Sequence, residues 1–204
     1  RILAISVVIV LSLVLNYATT QDIISTETGQ IGFQVLLIIY LIQLVVFLIS
    51  FILKTEHYYD LTGGITYITV IVYTLYQEQL LGALDFRSIL LGVLILVWAM
   101  RLSSFLFLRI KKAGKDRRFD KIKTNFTRFM LAWALQGFWV FMCTLPAITA
   151  IASDSKTTDY FLVGGSILWL LGFVMEVVAD RQKSAFNQDP KNKGQFISTG
   201  LWSL

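Results

Sequence analysis

Charge is scarce in this chain of 204 residues: Asp, Glu, Lys and Arg together make up 15%. An ordinary soluble domain carries about 25%. Cysteine occurs once, at Cys143, so no intrachain disulfide can form. Histidine occurs once, at His57, which excludes a multi-histidine metal site within the chain, and no metal is expected. There is no internal repeat, no low-complexity linker and no run of alternating ten-residue segments of the β-barrel kind. What fills the space is apolar: 56% hydrophobic residues and a mean hydropathy of +0.69. A chain of about 200 residues cannot hide that much apolar surface in one core. The composition therefore excludes a soluble enzyme, a disordered chain and a secreted disulfide scaffold.

A bilayer core of about 30 Å takes about 20 apolar residues per helix. Six stretches meet or approach that length: 2–18, 31–53, 61–76, 88–108, 129–152 and 160–179. The first resembles a signal-peptide core behind Arg1, but no clean small-x-small site follows it, so a retained membrane helix is expected. The third is short and rich in Thr, Gly and Tyr, and Pro146 should kink the fifth. The fold expected is an all-α, polytopic membrane protein of about six spans, forming one transmembrane domain over 1–204 with a polar tail over 180–204.

The cations then sort themselves. With six spans, Arg1, Lys54, the nine from Arg109 to Arg128, and Arg181, Lys183, Lys191 and Lys193 share one side. Only Arg87 and Lys156 fall on the other, and Arg101 lies within a span. This asymmetry orients the N-terminus and the basic loops towards the cytosol or matrix, in the endoplasmic reticulum or the mitochondrial inner membrane. The formal net charge of +5 is thus topology, and no nucleic-acid partner is expected.

Polar groups inside a membrane are costly and each needs a reason. Arg101 lies roughly 12 Å along its helix from Arg109, at 1.5 Å per residue. It and Glu176 are either an interhelical ion pair or part of a polar cavity. Glu176, Asp180, Lys183 and Asn187 follow spacings of four, three and four, which make one helical stripe. A stripe of acids and a lysine is either surface pairing or a wall suited to ribose hydroxyls and phosphate. The cationic loop around Gly114, Lys115, Asp116 and Arg118 suits either lipid head groups or a phosphate-rich cofactor. Glu56, His57, Tyr58, Tyr59 and Asp60 precede Gly63-Gly64. That cluster is either a helix start in an aromatic belt or a proton donor with a carboxylate beside it. Gln136 and Trp139 either face a polar cavity or, for the tryptophan, simply supply bulk, and Cys143 reads as a packing residue.

Six blocks in order carry a resemblance: Glu56-His-Tyr-Tyr-Asp-Leu-Thr-Gly63, Trp98-Ala-Met-Arg-Leu102, Gly114-Lys-Asp-Arg-Arg-Phe-Asp120, Leu135-Gln-Gly-Phe-Trp-Val140, the run Glu176-x-x-x-Asp180-Arg-Gln-Lys183 with Phe186, and Gly194-x-Phe-Ile-x-Thr-Gly-Leu-Trp202. Together they resemble an uncharacterised branch of the steroid 5-alpha-reductase-like membrane proteins, over about residue 54 to the end. The resemblance implies about seven spans and an NADPH site among the C-terminal helices. It implies Glu176, Asp180 and Lys183 as cofactor contacts, with Gly200, Leu201 and Trp202 beside them and Lys115 and Arg118 in the basic loop. The family continues past its Gly-Leu-Trp turn with an Arg-His-Pro-Asn-Tyr-type stretch and a last hydrophobic hairpin. Neither follows Trp202 here, so the chain is expected to be cut short of the last helices.

The function expected is therefore an NADPH-dependent membrane reductase acting on a sterol-like or other lipid-like enone. Glu56 with Tyr58 or Tyr59 is the nearest catalytic group by chemistry. Membrane lipids and a lipid-like small-molecule substrate are the expected partners. The alternative is an inactive accessory subunit of a larger membrane complex on the same fold, with other subunits as partners. Methyl transfer from S-adenosylmethionine is a third reading.

Overall fold

A backbone surrounded by hydrocarbon has no water to bond, and a helix satisfies its N–H and C=O groups within the segment. Among the described residues the chain does this six times. Its helices are α1 (Ile2–Thr20), α2 (Glu27–Ile52), α3 (Tyr59–Leu80), α4 (Phe86–Ala113), α5 (Phe126–Ile151) and α6 (Tyr160–Gln188). The computed structural model describes residues 1–20, 27–114, 116–153 and 160–203, and among these no strand occurs. The six helices correspond one for one to the six apolar stretches. Five of them, all but α3, are long and apolar enough to cross a membrane. The chain is a helical multi-pass membrane protein.

The lower apolarity of α3 has a structural reason. Thr62, Thr66, Thr74 and Glu78 are buried against neighbouring helices, so this helix turns polar residues toward protein. The hydroxyls of Thr62, Thr66 and Thr74 each donate to the carbonyl four residues earlier, at 2.6–2.8 Å. That satisfies them without water.

The chain divides into two compact units, Arg1–Lys156 and Thr157–Leu204. In the first, α5 touches α1, α2, α3 and α4, and α3 packs most extensively on α4. One core cluster joins Val35 and Ile39 of α2, Val70 and Ile71 of α3, and Val140 and Phe141 of α5. A second is aromatic: Phe47, Phe119, Phe129 and Trp133. Phe119 belongs to the segment between α4 and α5, and its 5% exposure makes it the anchor that draws this basic segment onto the bundle. Its ring lies 4.8 Å from that of Tyr59.

Local signals define the helix ends. Asp85 caps α4 by accepting from the Ser88 N–H at 2.9 Å, and Asn125 caps α5 by accepting from the Arg128 N–H at 3.1 Å. Gly114 ends α4 at φ +80°, a conformation that favours glycine. Pro146 lies inside α5, where it removes one backbone hydrogen bond. In the second unit α6 runs through the stripe from Glu176 to Asn187. Asp189 then caps a short 3₁₀ turn at Pro190–Asn192, and Gly194 turns the chain at φ +83°.

Candidate functional site

Two consecutive glycines let three helices meet. A Cβ on Gly64 would overlap the Ser103 side chain of α4, and one on Gly63 would lie 2.9 Å from the Gln136 Nε2 of α5. With glycine at 63, the Gln136 amide reaches the first turn of α3 and donates to the Tyr59 carbonyl at 3.0 Å. The close approach leaves a cavity of about 390 Å³ bounded by α3, α4, α5 and the basic segment. This is within the size range of small-molecule sites.

Its walls divide by chemistry. Trp98, Leu102, Leu106, Leu135 and Val140 make an apolar side, and the polar side carries Tyr59, Asp60, Tyr67, Gln136 and Arg118. The Tyr59 hydroxyl is already committed, donating to the Ala132 carbonyl at 3.0 Å. The Tyr67 hydroxyl is buried beside the Cys143 thiol but makes no hydrogen bond of ordinary geometry, and the Gln136 Oε1 is buried with no partner. Buried polar atoms are usually paired, so a free hydroxyl and a free amide oxygen in one cavity are what a bound molecule would satisfy. Arg118 is 64% exposed at the cavity edge, and Asp60 lies 4.0 Å from the Arg109 guanidinium.

The edge is held by a knot of long-range bonds. Glu56, 3% exposed, accepts from the Lys123 ammonium at 2.6 Å and from the Asp116 backbone N–H at 3.1 Å. Burial pushes the Glu56 carboxyl up, but these hydrogen bonds outweigh it and hold the group below its ordinary value. The Asp116 carboxylate in turn grips the Arg118 guanidinium in a bidentate pair. That hydrogen bonding outweighs partial burial and holds the Asp116 carboxyl below its ordinary pKa too. His57 adds a third tie: its ring nitrogens pair with the Thr55 hydroxyl and the Gly114 carbonyl, each at 2.8 Å.

Of the expected catalytic group, then, only Tyr59 lines the cavity. Glu56 is buried in the knot, and Tyr58 is 45% exposed outside it. Of the expected cofactor contacts, Arg118 lies at the cavity edge, and Lys115 falls outside the described residues. The others form their own arrangement in the second unit. Glu176, Asp180 and Lys183 share one stripe of α6. The Gly200-Leu201-Trp202 turn folds back on that helix. The Leu201 N–H donates to Gln182 at 2.9 Å, the Trp202 indole N–H donates to the Ala179 carbonyl at 3.0 Å, and the Lys183 ammonium sits 4.5 Å over the Trp202 ring. Gly200 adopts φ +64° against the Gln182 amide. Arg101 is half-buried in α4 with its guanidinium 5.4 Å over the Phe105 ring; it lies in the first unit and Glu176 in the second.

Three cavity residues escape the local reading of the sequence: Tyr67, Ser103 and Trp98. A signal exists for Tyr67, since Asp60, Gly63, Gly64 and Tyr67 recur at helical spacing and so share one face of α3.

Fold and cavity together define a helical multi-pass membrane protein with a cavity of mixed polar and apolar lining between α3, α4 and α5. The chain belongs to the family described as a protein of unknown function (DUF1295), whose family model matches residues 46–204. No curated protein and no solved structure matches it.

Proposed function

We propose that this protein is an NADPH-dependent reductase of a sterol-like or other lipid-like enone, of the steroid 5-alpha-reductase-like kind. The observation that carries the reading is the cavity between α3, α4 and α5. It joins an apolar wall, fit for a lipid-like substrate, to the unsatisfied Tyr67 hydroxyl and Gln136 Oε1. The residue blocks shared with that superfamily, which lie largely within the family match, support it.

The donor set suits the reacting end of a nicotinamide cofactor. The Gln136 Oε1 is an acceptor for a carboxamide N–H, and Arg118 at the edge is a cation for phosphate. NADPH, when bound, supplies a hydride. The chain's own part is to hold the enone. The Tyr67 O–H donates to the substrate carbonyl oxygen, drawing electron density from the conjugated C=C. Trp98 and Leu102 exclude water from the carbon that is reduced. The basic segments face the cytosol or matrix in this reading.

The test is titration of the purified protein with NADPH, followed by quenching of tryptophan fluorescence, since Trp98 and Trp139 line the cavity. Saturable quenching is expected, with none from S-adenosylmethionine. With a lipid-like enone present, Tyr67→Phe should retain NADPH binding and lose about 100-fold in NADPH consumption. Absence of saturable NADPH binding overturns the proposal.

A further inference from the structure

A second cavity, of about 440 Å³, lies between α1, α2 and α5. Its wall is almost wholly carbon, and no charged residue contributes to it. Three of its side chains carry a polar atom; the Tyr40 hydroxyl pairs with that of Ser12 at 2.7 Å, and the other two are left over. Gln43 of α2 and Trp133 of α5 are 2% and 1% exposed, and each ends in a polar atom with no partner. The Gln43 amide nitrogen is satisfied by the Thr66 hydroxyl at 3.1 Å, so what remains is one acceptor, its Oε1. What remains on Trp133 is one donor, its indole N–H. Both side chains line this one cavity. The Gln43 Cγ lies 3.2 Å from where a Cβ on Gly137 would stand, and Trp133 is one helical turn before Gly137.

A buried donor and a buried acceptor, each unsatisfied, cost free energy until something bonds them. One group does both at once: a hydroxyl donates to one and accepts from the other. A ketone would satisfy Trp133 alone. An ammonium would satisfy Gln43 alone and bring an uncompensated charge into an apolar cavity. We propose that this cavity is a binding site for one neutral lipid alcohol, its hydroxyl between Gln43 and Trp133 and its hydrocarbon body along the apolar wall. The site uses a different face of α5 from the polar cavity, which takes Gln136, Trp139 and Val140 of that helix. It stands whether or not the protein is a reductase.

The experiment is photolabelling of the protein in lipid nanodiscs with three diazirine probes: a long-chain alcohol, its methyl ether and the matching hydrocarbon. A sterol alcohol probe is run alongside to separate the two sources of the hydroxyl. The alcohol is expected to label peptides from α2 and α5 at least 10-fold more than the ether or hydrocarbon. Gln43→Leu and Trp133→Phe should each remove that preference. Trp133→Phe keeps an aromatic ring in the core, so it provides the test if Gln43→Leu does not fold. Tyr67→Phe, altered only in the other cavity, should label like the parent. Equal labelling by alcohol and hydrocarbon, as when water alone satisfies both atoms, overturns the proposal. So does an alcohol preference that survives both substitutions.

Discussion

The two cavities share α5 and differ in how they are made. The polar one exists because Gly63 and Gly64 bring α3 against α4 and α5, and its edge is a loop held by Glu56, Asp116 and His57. The apolar one is bounded by helices alone and needs no such knot. Its polar atoms belong to Tyr40, whose hydroxyl pairs with that of Ser12, and to Gln43 and Trp133, which carry the unsatisfied pair. Covalent chemistry needs groups whose geometry is enforced, and the first cavity has that enforcement. The second has the features of a place where a lipid rests. Disturbing the knot or the glycines should therefore affect one cavity and spare the other.

The largest effect is expected from Glu56→Gln. It removes the charge that faces Lys123 and weakens the tie to Asp116, which positions Arg118. Breaking a pair this buried should cost about 3 kcal/mol, read as thermal unfolding in detergent. NADPH binding should weaken while labelling by the lipid alcohol persists. The same knot sets an acid dependence. Glu56 and Asp116 are both held below their ordinary values of 4.5 and 3.8. A carboxyl depressed in the folded state contributes stability that is present above its unfolded value and lost as the pH falls through its folded one. Stability should thus decline below about pH 4.5, and Glu56→Gln should flatten that decline. An unchanged acid slope in the variant would show that the knot does not govern this end of the molecule.

How much of this was legible in the sequence follows the range of each interaction. The six helices could be read because length and hydropathy are local properties. The polarity of α3 could be seen, but its cause could not, since it depends on which helices surround it. For Gln136 and Trp139 a polar cavity was one of the readings, and both line one. Glu56 was grouped with Tyr58 and Tyr59 because they are adjacent in sequence. Its partners are 60 and 67 residues away, and no local spacing announces them. Ser103 was invisible for the same reason: its role is to be small where Gly64 passes.

The glycine pair gives the next effect and a finer test. Gly64→Ala drives a methyl group into the Ser103 side chain, close to the α4 backbone. Overpacking of that kind costs about 2 kcal/mol. Gly63→Ala meets only the far end of the Gln136 side chain, which can move aside, so about 1 kcal/mol is expected together with loss of the bond to the Tyr59 carbonyl. Both variants should reduce NADPH binding. If Gly64→Ala also abolished labelling in the apolar cavity, the two cavities would be one cooperative unit and the comparison would fail.

His57→Ala should be the mildest of the set. Its ring joins the Thr55 hydroxyl to the Gly114 carbonyl, which ties the segment before α3 to the end of α4. Both bonds are exposed, so water replaces them when the ring is removed, and a loss of about 1 kcal/mol or less is expected. The effect should be local. Gly114 begins the segment that carries Asp116 and Arg118, so loosening it should increase hydrogen exchange over 116–123. The helices α1 and α2 beside the apolar cavity should exchange as before. Greater exchange in α1 and α2 would mean that the knot braces the whole bundle and not only the polar cavity.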